Sequence, residues 1–301
     1  MKYTATWSIA YAILTTPDLV PTTQFPIPDP LQLPIPLVYA IVLLVLIALA
    51  IGAAWQLRQA VGWLRNRLFP GGSHRRRLLE KSFAYYCALS PAGRRRFERR
   101  VRDFLADKEF IARGDLPVTE EMKTLVAACA VQLTFGLPQV RLRHFRRIIL
   151  YPKAYFSTVD RRYHRGEVNA AGAIVLSWKH FLEGYRVPND ARNVGLHEMA
   201  HALLLENRIR HDGEYDFLDQ QSLDYFLECA EAEHARAQRG EPGVLRAYAH
   251  TSPAEFFSVA VEVFFENPAT MAREAPQLYG ALKDLLNQDP ARRAATRRSG
   301  V

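Results

Sequence analysis

The stretch NVGLHEMAHALLLENRI, residues 193–209, decides how this chain is read. A helix turns once per 3.6 residues, so His197 and His201, four apart, stack on one face about 6 Å apart along the axis. Both imidazoles can then grip one ion. Glu198 projects roughly 100° further round the helix, within reach of a water on that ion without ligating it. The plain alternative is two histidines that happen to fall four apart. Around them, Pro188, Asn189 and Asp190 read as a helix start, and Val194, Leu196, Ala200, Leu203 and Leu204 supply apolar positions over several turns, so the motif is expected on a helix.

Working outward, 301 residues with 49% hydrophobic and 23% charged character argue for a folded chain with room for one sizeable domain and an appendage. Seven prolines between 16 and 36 predict an extended, exposed tail over residues 1–36. Then LVYAIVLLVLIALAIGAAWQL, residues 37–57, carries no charge. As a helix it spans roughly 31 Å against a hydrocarbon core of about 30 Å, which predicts one transmembrane helix rather than a buried core helix or a cleaved signal peptide. Only Lys2 is basic before the span, whereas Arg58, Arg65, Arg67 and Arg75 to Arg77 crowd its far side. A single-pass protein of the cell (inner or plasma) membrane follows, with its N-terminus outside and the large domain cytoplasmic.

Residues 58–102 hold thirteen Arg or Lys against Glu80 and Glu98, a charge of +11 that leaves −3 for the rest of the +8 chain. Basic charge confined to one segment fits a basic juxtamembrane linker over 58–88, with Trp55 and Trp63 at the bilayer interface and Pro70, Gly71 and Gly72 ending the helix. A nucleic-acid-binding fold spreads its basic residues over a folded face, so direct nucleic-acid binding is not expected. The arginines from 94 to 102 read equally as a solvated helix face or as lipid contacts. Cys87, Cys129 and Cys229 are odd in number and far apart, as befits small buried hydrophobes.

LSPAGRRRFERRVRDFLADKEF, from residue 89, opens a helix at Ser90-Pro91, and a second helix runs from Thr119 to Gly136. RIILYPKAYFSTV and GAIVLSW, within residues 146–178, are β-prone runs that suggest a small sheet. From Asp190 the chain reads as helical again, and the main domain is expected over 89–291 with a basic C-terminal tail over 292–301.

A catalytic zinc takes three protein groups and keeps a fourth position for water, so two histidines leave one ligand to find. AYAHTSPAEFFSVAVEVFFENP, residues 247–268, offers Glu255 behind a Ser252-Pro253 helix start. By pattern Glu255 is equally a capping carboxylate. Glu262 shares its face as a ligand or a buried ion-pair partner, and Glu266 falls at the exposed end.

HEMAH and YAHTSPAEFF together resemble the Mlc titration factor A family of zinc peptidases, which is similar at its active site to anthrax lethal factor. In that pattern a Tyr precedes the ligand Glu of a Glu-Phe-Phe helix by seven residues, and Tyr248 stands seven before Glu255. The resemblance extends through LSPAGRRRFERRVRDFL, VTEEMKTLVAACAVQLTFGL, IILYPKAY, IVLSW, ENPATM and LLNQDPARR, roughly two hundred residues. The transmembrane segment lies outside it, and Leu204 stands where the better-known branch has an acidic residue.

The resemblance implies an α+β, mainly helical zincin-like (gluzincin-type) domain with a small β-sheet, preceded by the transmembrane helix. It implies Zn²⁺ held by His197, His201 and Glu255, with Glu198 as general base. Tyr248 becomes the donor to the oxyanion, with a tyrosine packed at a loop end as its alternative and His250 as a weaker substitute. The implied activity is a zinc metallopeptidase acting on a peptide or protein substrate. Residues 172–178 are either the sheet edge that receives the peptide or a core strand. The family also suggests a membrane-tethered binding protein that sequesters a transcriptional repressor.

Overall fold

A computed structural model describes residues 35–68, 72–157, 161–187, 189–209 and 217–293. The proline-rich tail up to residue 34, the Pro70-Gly71 break, Pro188 of the expected helix start and the end of the basic tail from residue 294 lie outside the described residues. The chain falls into two units, residues 1–59 and 60–301.

Helix α1 (Ile35–Leu68) begins inside the expected tail, with Pro36 in its first turn where no amide hydrogen is needed. It carries Tyr39–Leu57, 19 residues long and apolar enough to cross a membrane. Leu44, Leu49 and Ile51 along it are exposed.

The second unit continues with α2 (Gly72–Ser82), α3 (Ala84–Cys87), α4 (Pro91–Asp107), β1 (Glu109–Ala112) and α5 (Glu120–Thr134). Then come β2 (Arg147–Tyr151), β3 (Tyr155–Ser157), β4 (Arg162–His164), β5 (Gly166–Asn169), β6 (Ala173–Ser177) and α6 (Trp178–Arg186). Helices α7 (Val194–Ile209) and α8 (Gln220–Gln238), a 3-10 turn (Ala247–Thr251), α9 (Pro253–Glu266), α10 (Pro268–Glu274) and α11 (Pro276–Leu286) complete it. The unit is mainly helical with a small sheet.

The helix starts follow local chemistry. Ser90, Thr119 and Ser252 each accept a hydrogen bond from an otherwise orphaned first-turn amide, those of Gly93, Met122 and Glu255. For α7 the cap is Asn193, whose Oδ1 accepts from Leu196 N at 3.0 Å. The helix therefore starts a few residues later than Asn189 and Asp190 suggest. Those two lie in a turn, where Asp190 Oδ1 accepts from Arg192 N.

The four-stranded sheet has the order β1-β2-β6-β5, parallel except for β5, which runs antiparallel to β6; β3 and β4 form a separate hairpin. Of the two readings of residues 172–178, the core strand is the one observed, because β6 is buried and paired on both sides and has no free edge to offer. Strand β1 is a short run hidden at the end of the arginine-rich helix, where four residues show no alternation of their own.

Helix α5 is buried along almost its whole length and forms the centre against which α4 and α7 pack; α7 also meets α9 and strands β5 and β6. Gly195 permits this, since a Cβ there would stand 2.6 Å from the Phe181 ring.

Two expectations change. The segment expected as linker over 58–88 is mostly helical where described, and from it Leu79, Phe83 and Tyr86 sit fully inside the core with Phe97, so α2 and α3 belong to the folded unit. Gly72 opens α2 rather than closing α1. The arginines of α4 divide: Arg95, Arg96 and Arg99 are exposed, as a solvated face requires, whereas two others turn inward. Arg100 is buried and donates to the carbonyls of Thr134, Phe135, Leu137 and Pro138, satisfying the orphaned C-terminal end of α5. Arg94 donates to Cys87 O and Leu89 O.

Candidate metal centre

His197 and His201 lie on α7 with ring centroids 4.8 Å apart and their Nε2 atoms 3.2 Å apart. Helix α9 crosses α7 and turns Glu255 toward them from its first turn. Glu255 Oε2 stands 3.0 Å from His197 Nε2 and 3.4 Å from His201 Nε2. Three electron-donor atoms thus converge, all within 4.8 Å of one another. Glu255 Oε2 is buried and accepts no hydrogen bond. Two imidazole nitrogens and one carboxylate oxygen facing a common point repel one another unless a cation or protons stand between them, and this donor set suits a divalent ion.

Burial opposes the charge on Glu255, yet the His197 and His201 imidazoles beside it hold its carboxyl well below the usual carboxylate range. Burial likewise resists charging His197, but Glu255 and Glu262 raise it to about 9. Glu198, one residue on, is 7% exposed, and burial pushes its carboxyl up to about 8 against the pull of His197. Strand β5 lies directly on it. A Cβ at Gly166 would overlap the Glu198 carboxylate, 2.6 Å from its Cδ, so only glycine lets the strand pass there.

Tyr248, on the 3-10 turn, is half-exposed with its ring centroid 6.2 Å from that of His197. Burial and the neighbouring Glu255 push its phenol up to about 12. His250 packs instead against His234 and Phe256.

Behind the cluster is an arrangement the sequence does not reveal. Glu262 Oε1 accepts from His197 Nδ1 at 2.8 Å and from Arg246 Nη2 at 2.6 Å, while Oε2 accepts from the backbone amide of Asn193 at 2.6 Å. Arg246 also donates to Ala191 O. With Nδ1 turned to Glu262, His197 Nε2 is left to face Glu255 and His201. Glu262 is legible as a buried carboxylate needing a partner. Arg246, sixteen residues before it, and Asn193, sixty-nine before it, follow no local pattern.

Glu266 is not at an exposed end. It is partly buried and accepts from Asn193 Nδ2 at 3.0 Å and Arg192 N at 3.2 Å. Burial, then Asp190 and Glu262, raise its carboxyl from 4.5 to about 7. A folded-state value above the unfolded one means the folded chain keeps its proton longer. Glu266 therefore costs nothing below about pH 4.5 and destabilises progressively as pH rises to about 7. Discounted for partial exposure, the loss is about 2 kcal/mol. Denaturant titrations of the wild type and Glu266→Gln at pH 4.5 and 7.5 should show their stability difference shifting by that amount in the variant's favour; a difference independent of pH would contradict it.

Comparison with known proteins supplies context for this geometry. A family model described as Glucose-regulated metallo-peptidase M90 matches residues 54–286. An uncharacterised protein of Synechocystis sp. is 28% identical over 270 residues, covering 83% of this chain and 97% of that protein. Mlc titration factor A of Edwardsiella ictaluri is 26% identical over 232 residues, covering 68% of this chain and 84% of the relative. Its counterpart in Serratia proteamaculans is 26% identical over 230 residues, covering 68% and 85%.

Proposed function

Because this chain belongs to the family of the glucose-regulated metallo-peptidases M90 and the Mlc titration factor A proteins, we propose that it is a membrane-anchored zinc peptidase with a zincin-like catalytic domain. The single observation that carries the reading is the convergence of His197, His201 and Glu255. These three residues hold the ion. Zinc bound there supplies a Lewis acid that brings the pKa of water down to about 7.

Glu198 takes the proton of the attacking water and passes it to the departing amine. It is held for this task between α7 and β5, where the strand at Gly166 excludes solvent from its other side. Tyr248 donates its phenol to the oxyanion that develops on the peptide carbonyl. The substrate lies extended along β5, whose outer edge is free of any partner among the described residues, so that main-chain hydrogen bonds give sequence-tolerant binding. Helix α1 anchors the chain in the cell membrane with its N-terminus outside, which places the catalytic domain in the cytoplasm. We take that domain to begin with α2 and to end near residue 291.

Glu262 is a positioning residue for His197. Glu262→Gln should lower zinc affinity by about 10- to 100-fold in chelator competition, with the fold retained by circular dichroism. Unchanged affinity would remove Glu262 from the account.

Metal analysis together with hydrolysis of a peptide library by the purified chain tests the reading. One zinc per chain with cleavage abolished by chelation and restored by zinc supports it. Relatives bearing the name Mlc titration factor A favour a second reading, a tethered protein that titrates a regulator. Stoichiometric zinc without any cleavage would turn the balance toward it.

A further inference from the structure

Strand β4 runs into β5 through Arg165 alone, so RRYHRG, residues 161–166, carries three arginines and a histidine up to the glycine that lies on Glu198. In the hairpin Tyr155 stands opposite His164 and Ser157 opposite Arg162, and side chains alternate between its two faces. One face therefore holds Tyr155, Ser157, Arg162 and His164. The other holds Phe156 and Tyr163, exposed rings that meet edge to face at 5.4 Å. The first face is the one turned to β5: Tyr155 stacks on His164 with centroids 6.0 Å apart and donates its hydroxyl to Glu167 Oε2 at 3.1 Å.

Arg162 is exposed, and its Nε donates to His164 Nε2 at 3.3 Å. Among the described residues no carboxylate pairs with it. Both terminal nitrogens of the guanidinium are left, and they form the fork that matches a carboxylate bidentately. The charge stands beside the metal centre. Burial, then Glu255, raise the Tyr248 phenol, and Arg162 acts on it in the opposite direction. Burial, then Glu167 and Glu198, raise the phenol of Tyr155 on the same hairpin face. A peptide on β5 that continues past Gly166 comes beside His164 and Arg162, because β4 and β5 are one run of chain.

We propose that Arg162 is a specificity-determining residue that binds a carboxylate of the peptide, which makes acidic peptides the preferred substrate class. The inference rests on the reading of β5 as the strand that receives the substrate. The carboxylate belongs either to an Asp or Glu side chain or to the C-terminal end of the peptide.

Fluorescence anisotropy with the full chain carrying Glu198→Gln, in detergent, reads binding while the peptides stay intact. Three dansylated nonapeptides serve as probes: an amidated one uncharged but for a central Glu, its amidated Gln counterpart, and the Gln peptide with a free C-terminal carboxylate. A carboxylate peptide should bind about fivefold more tightly than the amidated Gln peptide, the upper end of what an exposed ion pair supplies. Preference for the Glu peptide identifies the side chain, and preference for the free end identifies the terminus. Arg162→Gln should bring that ratio to within about twofold of one, with the amidated Gln peptide bound as before and the thermal midpoint unchanged. Arg161→Gln, in the turn before the strand, should keep the ratio. The proposal is overturned if no peptide binds, if neither carboxylate is favoured, if the preference survives Arg162→Gln, or if Arg161→Gln removes it equally. Discrimination without any cleavage by the wild type sinks the peptidase reading and leaves the carboxylate site standing; cleavage without discrimination does the reverse.

Discussion

Replacing Glu198 by Gln should leave zinc bound at one per chain while peptide hydrolysis falls by between about 10² and 10⁴-fold, the usual contribution of a positioned general base. The side chain is close to isosteric, so the contact with Gly166 survives and the helix keeps its packing. What disappears is the ability to receive a proton from water and return it to the amine. Zinc content is unaffected because Glu198 is not among the three converging residues. In free-energy terms the loss is about 3–5 kcal/mol of transition-state stabilisation. Turnover within tenfold of wild type, in a variant that still holds zinc, would falsify the role assigned to Glu198.

A chain that begins at residue 89 should not fold, whereas one that begins at residue 72 should. Removing α2 and α3 strips Leu79, Phe83 and Tyr86 from the core, each fully buried. At about 1.5–3 kcal/mol for each large side chain, their burial is worth on the order of 5 kcal/mol or more. That is comparable with the whole stability of an ordinary domain, about 5–15 kcal/mol. The loss also uncovers Phe97 and leaves Glu98 without the Tyr86 hydroxyl, now 2.6 Å away. Thermal melts followed by circular dichroism separate the two chains, and equal midpoints would show that α2 and α3 are dispensable.

This second expectation marks a place where the sequence misleads. Arginine density between 58 and 102 reads as a surface or membrane feature because charge is counted along the chain. In the folded unit Arg100 and Arg94 spend their donors on backbone carbonyls, and the apolar residues between the charges reach the core. Composition cannot tell a solvated cation from one that closes the end of another helix.

What the sequence determined by itself is what depends on neighbours along the chain. The spacing of His197, Glu198 and His201 on one helix, the Ser90, Thr119 and Ser252 caps and the long apolar run within α1 all follow from interactions spanning a few residues. Only the tertiary structure decided the rest. Glu255 sits where a capping carboxylate would, and it faces the histidines because α9 crosses α7. Glu262, Arg246 and Asn193 meet through contacts between segments distant in sequence, and β6 rather than β5 became the interior strand. Hydrogen-bond partners and strand order are set by which surfaces pack together, and no periodicity within a single segment carries that information.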